Sequence, residues 1–457
     1  MIETAILWFR RDLRLDDHPA LLAAASGGRR VLGLFVLDPK LLAGSGAPRI
    51  GFLYSCLCAL SASMSGRLLV VHGDPATVVP SVARIVSATE VHISADYMPY
   101  GRWRDARVAR ALGEIPLVAT GSPYAVAPGR VLKGDGSPYA VFTPFFRGWS
   151  DHGYRGPAGT GATVDFVSGP ELEVPDKVSV RDLAVDGEMP ELPDGGEAAA
   201  LAAWHAFRDE PLARYKTDRD RPDTPGTSRL SAYLKYGCIH PRTLLADLKG
   251  RSSSGAVTFR QELAWREFYA DLVFHQPRSA WWSINPAVDK LEWDTGKTAD
   301  EHFAAWQHGR TGFPYIDAAM RQLLAEGWMH NRARMGVASF LIKDLHLPWQ
   351  RGARHFLDHL VDGDLSSNNH GWQWAAGAGP QAAPFFRIFH PVTQGLRHDP
   401  DGEYVRKYVP ELRGVAGAAV HTPWELPDGV PTGYVEPIVD HSTERLEALH
   451  RWGRRES

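Results

Sequence analysis

Five short apolar runs punctuate the first 120 residues, and they restrict the possible folds more than any other feature. They are Ala5–Phe9, Val31–Leu37, Leu68–Val71, Val91–Ser94 and Leu117–Thr120. Each is too short for a helix, and its unbroken apolar character fits a strand covered on both faces. Helical stretches lie between them. Asp17-His18-Pro19 precedes Ala20–Ala25, with proline at a helix-start position. Gly101–Leu112 reads as an Arg-rich amphipathic helix. Strands alternating with helices predict an α/β domain with a five-stranded parallel, doubly wound sheet. Ligands of such sheets bind beyond the carboxyl ends of the strands. The segment Arg10-Arg11-Asp12 falls there.

The pattern then changes twice. Gly, Pro, Ser and acidic residues dominate 156–197, as in Gly156-Pro157-Ala158-Gly159 and Pro193-Asp194-Gly195-Gly196, which reads as a long surface connector. From about 198 the apolar spacing is helical, in Ala198–Phe207, Arg229–Tyr236, Arg260–Phe274, Phe313–Glu326, Asn331–Leu345 and Ala353–Val361. The expected organisation is an α/β domain over 1–130, a connector over 131–197 and an all-helical domain over 198–457.

Composition narrows the chemistry. Three cysteines are too few for a disulfide framework or a four-Cys metal site, so a cytoplasmic protein is expected. The start of the chain has neither the basic segment nor the apolar length of a signal peptide or membrane span. A net charge of −3 does not advertise nucleic-acid binding, though a local basic patch remains compatible with it. Arginine outnumbers lysine 40 to 10, which suits bidentate phosphate contacts and equally suits a GC-rich genome. Nine of the 15 Trp lie between Trp265 and Trp374.

Several segments carry candidate chemistry. Thr227-Ser228-Arg229-Leu230-Ser231 places hydroxyls and an arginine at a helix start, which reads as an anion site or as an ordinary N-cap. Asp362-Gly363-Asp364-Leu365-Ser366-Ser367-Asn368-Asn369 gathers carboxylates and amides around a glycine. It lacks the distal Glu of a calcium loop and reads either as a polar turn or as a seat for a hydroxylated heterocycle. Glu262, Trp265, Arg266 and Tyr269 share one helix face, a mixture that suits a planar polar ligand. Asn331, Arg334 and Met335 share another. Five cations against one acid between Met329 and Leu357 could follow a phosphate backbone or be a solvated face. His330 has no second His at ligand spacing, and no metal is expected.

Together these pieces resemble the photolyase/cryptochrome family along nearly the whole chain, and within it the class I enzymes that act on cyclobutane pyrimidine dimers. The resemblance rests on Trp8-Phe9-Arg10-Arg11-Asp12-Leu13-Arg14-Leu15, Thr227–Ser231, Glu262–Tyr269, Thr311-Gly312-Phe313-Pro314, Trp328–Met335, Asp362–Trp374 and Ala383-Pro384-Phe385-Phe386-Arg387. It implies FAD in the helical domain, held by Tyr215, Thr227, Ser228, Arg229, Leu230, Ser231, Arg334, Asp362, Gly363, Asp364 and Asn368, with Asn368 facing the flavin N5. Phe259 departs from members that place Trp there.

The implied reaction is light-driven electron transfer from reduced FAD to a cyclobutane dimer flipped out of DNA. Glu262 would bond the pyrimidine edge, and Trp265 and Trp374 would stack on the dimer. Arg219, Arg266 and Arg332 would hold phosphates or the pocket rim; Tyr269, Asn331 and Met335 would complete the DNA-binding set. Trp372, Trp349 and Trp293 match the chain that carries electrons to oxidised flavin. An antenna chromophore is expected near Phe9, Arg10, Asp12, Asp96, Tyr100 and Arg104. The segment Asp96–Asp105 resembles deazaflavin binders (8-HDF or F0 type) more than methenyltetrahydrofolate binders. The partner is dimer-containing DNA, with no membrane and no obligate protein partner, and a monomer is expected. The alternatives are a cryptochrome-like photoreceptor without repair, a (6-4) photolyase, or a flavin redox enzyme.

Overall fold

The computed structural model describes residues 2–161, 163–187, 189–379 and 387–453. The chain divides into two compact units. The first comprises Met1–Tyr139, Thr143–Asp209 and Ser228–Pro277; the second comprises Ala140–Phe142, Glu210–Thr227 and Arg278–Ser457.

The first unit is built on a sheet of six strands, β1 (Thr4–Phe9), β2 (Arg30–Leu37), β3 (Leu69–His72), β4 (Glu90–Ile93), β5 (Leu117–Ala119) and β6 (Lys177–Val178), in the order β5-β4-β1-β2-β3-β6. β1 to β5 are parallel, as the apolar runs imply, and each run matches its strand to within one residue at either end. The sixth strand is new: β6 pairs antiparallel with β3, through Val70↔Val178 and Val71↔Lys177. Two residues inside a polar connector carry no periodicity, so nothing local marks them as a strand.

Helix starts follow a repeated device. His18, Asp38 and Asp74 each precede a proline and cap the helix it opens. Their side chains accept from Leu21 N (3.2 Å), Lys40 N (3.0 Å) and Ala76 N (3.0 Å). Proline at the first helical position loses no intrahelical hydrogen bond. Strand order reverses at β1, so the loops after β1 and β4 open at the switch point.

Helical segments complete this unit. The Ser254–His275 helix turns Glu267 and Asp271 inward. Glu267 accepts from Ala125 N, from Val126 N at 3.0 Å and from Trp149 Nε1 at 2.7 Å; Asp271 accepts from Gly129 N at 2.7 Å. Burial pushes the Glu267 carboxyl up, against those three donors. The connector therefore includes a packed helix, Phe142–His152, whose Trp149 is anchored by Glu267.

The second unit is helical. The Asn331–Lys343 helix runs through its core, with Gly336 to Lys343 wholly buried. Around it lie Pro314–Glu326, Trp349–His359, Leu365–Ala376 and His441–Gly453. Thr311-Gly312-Phe313-Pro314 proves to be a helix start built on Asp317. Oδ1 accepts from Thr311 N and Oγ1 (both 2.7 Å), and Oδ2 from Gly312 N (3.1 Å) and Tyr434 Oη (2.6 Å). Gly312 sits at φ +79°, and a Cβ there would lie 2.3 Å from the Glu436 carbonyl oxygen.

Candidate functional site

In the first unit, the residues expected to hold an antenna meet at the carboxyl edge of the sheet. Arg10 follows β1 and donates to Asp105 at 2.7 Å and to the Ser94 carbonyl. Arg104 lies between Asp105 (3.0 Å) and Asp96 (3.3 Å), and both guanidiniums stack on Trp8 at 4.8 and 5.0 Å. Asp12 accepts from Arg10 N and lies 3.3 Å from His18 Nε2. Burial works against its charge, yet His18 and Arg10 hold its carboxyl well below the usual range. Asp96 is also held low, with Arg104 first among the cations opposing burial. Tyr100 donates to Asp38 at 2.5 Å; burial and that carboxylate push its phenol up. Phe9 is fully buried beneath this edge.

Thr227–Ser231 spans the boundary of the two units, with Thr227 in the second. The segment does lead into a helix, which begins at Ser231 rather than Arg229 and runs to Tyr236. Arg229 precedes it at φ +49°, a left-handed conformation that turns the chain before the helix can begin. The helix ends on Gly237, where a Cβ would lie 2.1 Å from the Arg11 carbonyl oxygen.

Glu262, Trp265, Arg266 and Tyr269 do share one face of the Ser254–His275 helix, each half-buried. Trp265 lies 5.4 Å from Tyr269, centroid to centroid. The Arg266 guanidinium donates to Pro123 O (3.1 Å) and Leu234 O (3.0 Å) and covers the Tyr124 ring, so it braces this face. Phe259 packs with Trp204 and Phe207 at 5.5 and 5.0 Å.

In the second unit, Arg334 joins two of the expected segments. Its guanidinium donates to Met329 O at 2.8 Å and to Asp362 Oδ2 at 2.9 Å. Asp362 is buried, and among the described residues its other oxygen, Oδ1, has no partner. A buried acceptor left open is costly unless a ligand completes it. Asp362–Asn369 is not one polar turn: Asp364 caps the Leu365–Ala376 helix, accepting from Ser366 N and Ser367 N at 3.2 Å each, so Leu365 onward is helical. An Asp-x-Ser-Ser cap pattern could have marked that start. Asn368 donates its amide N–H groups to Ala353 O (3.0 Å) and Asn369 Oδ1 (2.8 Å), leaving its carbonyl oxygen as the acceptor.

Tyr215 is buried, with the Arg219 guanidinium 5.5 Å from its ring. All five cations between Met329 and Leu357 have protein partners. Arg332 donates to Asp220 at 2.5 Å and to Met335 Sδ at 3.6 Å, and Arg334 to Asp362. Lys343 is buried on Arg387 O at 2.8 Å, Arg351 pairs with Asp300 at 2.9 Å, and Arg354 stacks on Trp281 at 4.4 Å. They do not form a bare basic stripe. Asn331 is exposed and Met335 half-buried, one turn apart. His330 is the N-cap of that helix: Nδ1 accepts from Arg332 N at 3.2 Å, and burial lowers its pKa to about 3.

The tryptophans occupy distinct settings. Trp372 packs on Phe356 at 5.0 Å and Trp306 at 6.1 Å. Trp349 is fully buried; Trp293 is half-buried and meets Trp452 edge-on at 5.7 Å. Trp374 lies 6.4 Å from Phe389. Residues 383–386 of the Ala383–Arg387 motif lie outside the described residues. Among the described residues, no helix is long and apolar enough to cross a membrane.

A mostly parallel sheet with its switch point at β1 is thus followed in the chain by a helical unit in which, among the described residues, the buried Asp362 Oδ1 has no protein partner. Residues 5–162 match the family model for DNA photolyase, and 259–454 match the FAD binding domain of DNA photolyase. The deoxyribodipyrimidine photo-lyase of Streptomyces griseus is 41% identical, over 97% of this chain and 98% of that one. Among solved structures, a class III photolyase from Agrobacterium tumefaciens aligns with a TM-score of 0.92 at 35% identity, covering 100% of this chain and 98% of the other. A cryptochrome from Synechocystis aligns at 0.89 and 25% identity, covering 99% of each. The chain belongs to the DNA photolyase family.

Proposed function

We propose that this protein repairs cyclobutane pyrimidine dimers in DNA, driven by light. The observation that carries the reading is full-length likeness to an enzyme named deoxyribodipyrimidine photo-lyase. Bound and reduced, FAD supplies the electron that light sends to the dimer and that returns once the ring has split. The protein's task is to bind, orient and exclude water.

Asp362 and Arg334 hold the cofactor, Asp362 Oδ1 accepting a donor from it. Asn368, whose amide N–H groups are taken by Ala353 O and Asn369 Oδ1, would face the flavin N5 with its carbonyl oxygen and add no charge. Tyr215, Gly363, Asp364 and the Thr227–Ser231 segment complete the cofactor set. Glu262 accepts from the pyrimidine edge, Trp265 and Trp374 stack on the dimer, and Arg266 and Tyr269 steady that face. Arg219 and Arg332 hold phosphates or the pocket rim. The tryptophans Trp372, Trp349 and Trp293 relay electrons when the flavin is oxidised. In functional terms the antenna region is 1–130 and the catalytic region 198–457, joined by 131–197.

Asn331 and Met335 favour the cyclobutane dimer over the (6-4) photoproduct. A (6-4) lesion needs a proton moved between rings, and neither side chain exchanges one near neutral pH. The test is to give the reduced protein each lesion in separate oligonucleotides under blue light. Cyclobutane repair is expected. Repair of the (6-4) lesion only would overturn the assignment, and no repair of either would favour a photoreceptor.

The antenna is a deazaflavin at the Arg10–Asp96–Arg104 cluster. Reconstitution giving a folate spectrum and no deazaflavin uptake would reverse this. The protein acts as a cytoplasmic monomer without an obligate protein partner, which sedimentation at the mass of one chain would check.

A further inference from the structure

Three fully buried indoles of the second unit each need a hydrogen-bond acceptor. Trp306 donates to Val337 O at 3.1 Å and Trp452 to Ala376 O at 3.3 Å. A backbone carbonyl satisfies the N–H and takes no proton from it. Trp349 differs. Its Nε1 donates to Ser283 Oγ at 3.0 Å, and the Ser283 hydroxyl donates onward to Asp289 Oδ1 at 2.6 Å. Asp289 is fixed by Ser283 N on Oδ2 at 3.1 Å and by Gln350 Nε2 on Oδ1 at 3.3 Å. Ser283 is buried, whereas Asp289 is half-exposed. The chain has one direction: the hydroxyl turns a lone pair to the indole and its proton to a carboxylate that reaches water.

We propose that Ser283 and Asp289 form the proton exit of Trp349 when that indole gives up an electron. This rests on the electron-relay reading of Trp372, Trp349 and Trp293 given above. An electron leaves Trp349 for the oxidised Trp372 indole, whose own electron has gone to the light-excited flavin. The remaining indole radical cation is far more acidic than neutral indole and is held where charge is costly. Its Nε1–H bond breaks and the proton binds Ser283 Oγ as the hydroxyl gives up its own proton in the same step, so no protonated serine forms. The Ser283 O–H bond breaks and that proton binds Asp289, which exchanges it with water. One electron and one proton have left Trp349, serine is regenerated, and a neutral radical remains. Without its positive charge, the indole draws the electron back less strongly. Ser283 and Asp289 are positioning residues that act through Trp349.

The test uses the flavin-loaded full chain with Trp293→Phe, which stops the electron vacancy at Trp349. Flash absorption follows the tryptophan radical in H2O and D2O. In that background a neutral radical should form with a solvent isotope effect. Adding Ser283→Ala or Asp289→Asn should slow its formation ~10-fold, about 1.4 kcal/mol in barrier, and remove the isotope effect. Asp289→Glu should restore both. In flavin-free protein, the Raman marker of indole N–H bonding should weaken for one tryptophan in Ser283→Ala and in no other way. Unchanged radical kinetics in both variants would overturn the relay while leaving the electron chain intact. Absence of any tryptophan radical in Trp293→Phe, with Trp349→Phe photoreducing at the parent rate, would instead overturn the electron-chain reading.

Discussion

Trp372 lies directly over Gly352: a Cβ at residue 352 would sit 2.1 Å from Cη2 of the indole and 2.5 Å from Cζ3. The contact is a steric requirement inside the Trp349–His359 helix, where glycine is otherwise a poor choice. Gly352→Ala must therefore displace a nearly fully buried ring. Overpacking of this kind costs about 1–3 kcal/mol, against which the helix-propensity gain is under about 1 kcal/mol. The expected result is a lower midpoint of thermal unfolding and slower photoreduction of oxidised flavin. Parent-like values for both would show that the ring moves aside freely.

Glu267 makes a second sharp case. It accepts from two backbone N–H groups and one indole N–H while buried. Glu267→Gln replaces one acceptor oxygen by a donor that must face another donor. An unsatisfied buried group costs about 1–3 kcal/mol. Global stability should fall by that order. Hydrogen exchange should rise first at Ala125 and Val126, because those are the amides released.

The sheet was legible because five short apolar runs leave an unmistakable rhythm, even at the half-exposed edge strand β5, whereas β6 has two residues and no rhythm of its own. Asp38-Pro39 and Asp74-Pro75 carry the capping signal of two further helices that periodicity alone does not mark. The Glu262–Tyr269 face was readable since helical spacing alone sets it. Glu267, one position from Arg266, was not, because its partners lie more than 100 residues away in sequence. The Ser283–Asp289 chain is invisible in sequence for the same reason: Trp349 lies far along the chain, and nothing near Ser283 points to it.

His330 links acid stability to one helix start. Its Nδ1 must be unprotonated to accept from Arg332 N, and burial lowers its pKa from 6.5 to about 3. In the unfolded chain it titrates normally. The stability it contributes is therefore full above about pH 6.5 and is lost as pH falls toward 3, with a slope of at most about 1.4 kcal/mol per pH unit. Asn caps a helix as well as any residue but does not titrate. His330→Asn should cost about 1 kcal/mol at pH 7.5 through lost packing. It should close that gap, or reverse it, by pH 5. Denaturant unfolding of both proteins at the two pH values checks this, and parallel pH curves would rule it out.

Asp362 offers the most direct reading of the cofactor site. One oxygen is engaged by Arg334 at 2.9 Å; the other is buried and open. Asp362→Asn keeps the shape but loses the charge opposite Arg334 and sets an NH2 group on one of the two positions. If the NH2 faces the ligand, a donor meets a donor; if it faces Arg334, the guanidinium loses its acceptor. Either way a charged hydrogen bond is lost, worth about 1.5–3 kcal/mol. Retained FAD per chain should drop, with affinity about 10- to 100-fold weaker. The flavin-free variant should also unfold somewhat below the flavin-free parent, because the Asp362–Arg334 ion pair weakens whether or not the ligand is bound. The measurement is flavin released per chain after dialysis, paired with calorimetry of both apoproteins. Parent-level flavin retention in Asp362→Asn would show that Oδ1 faces no ligand group.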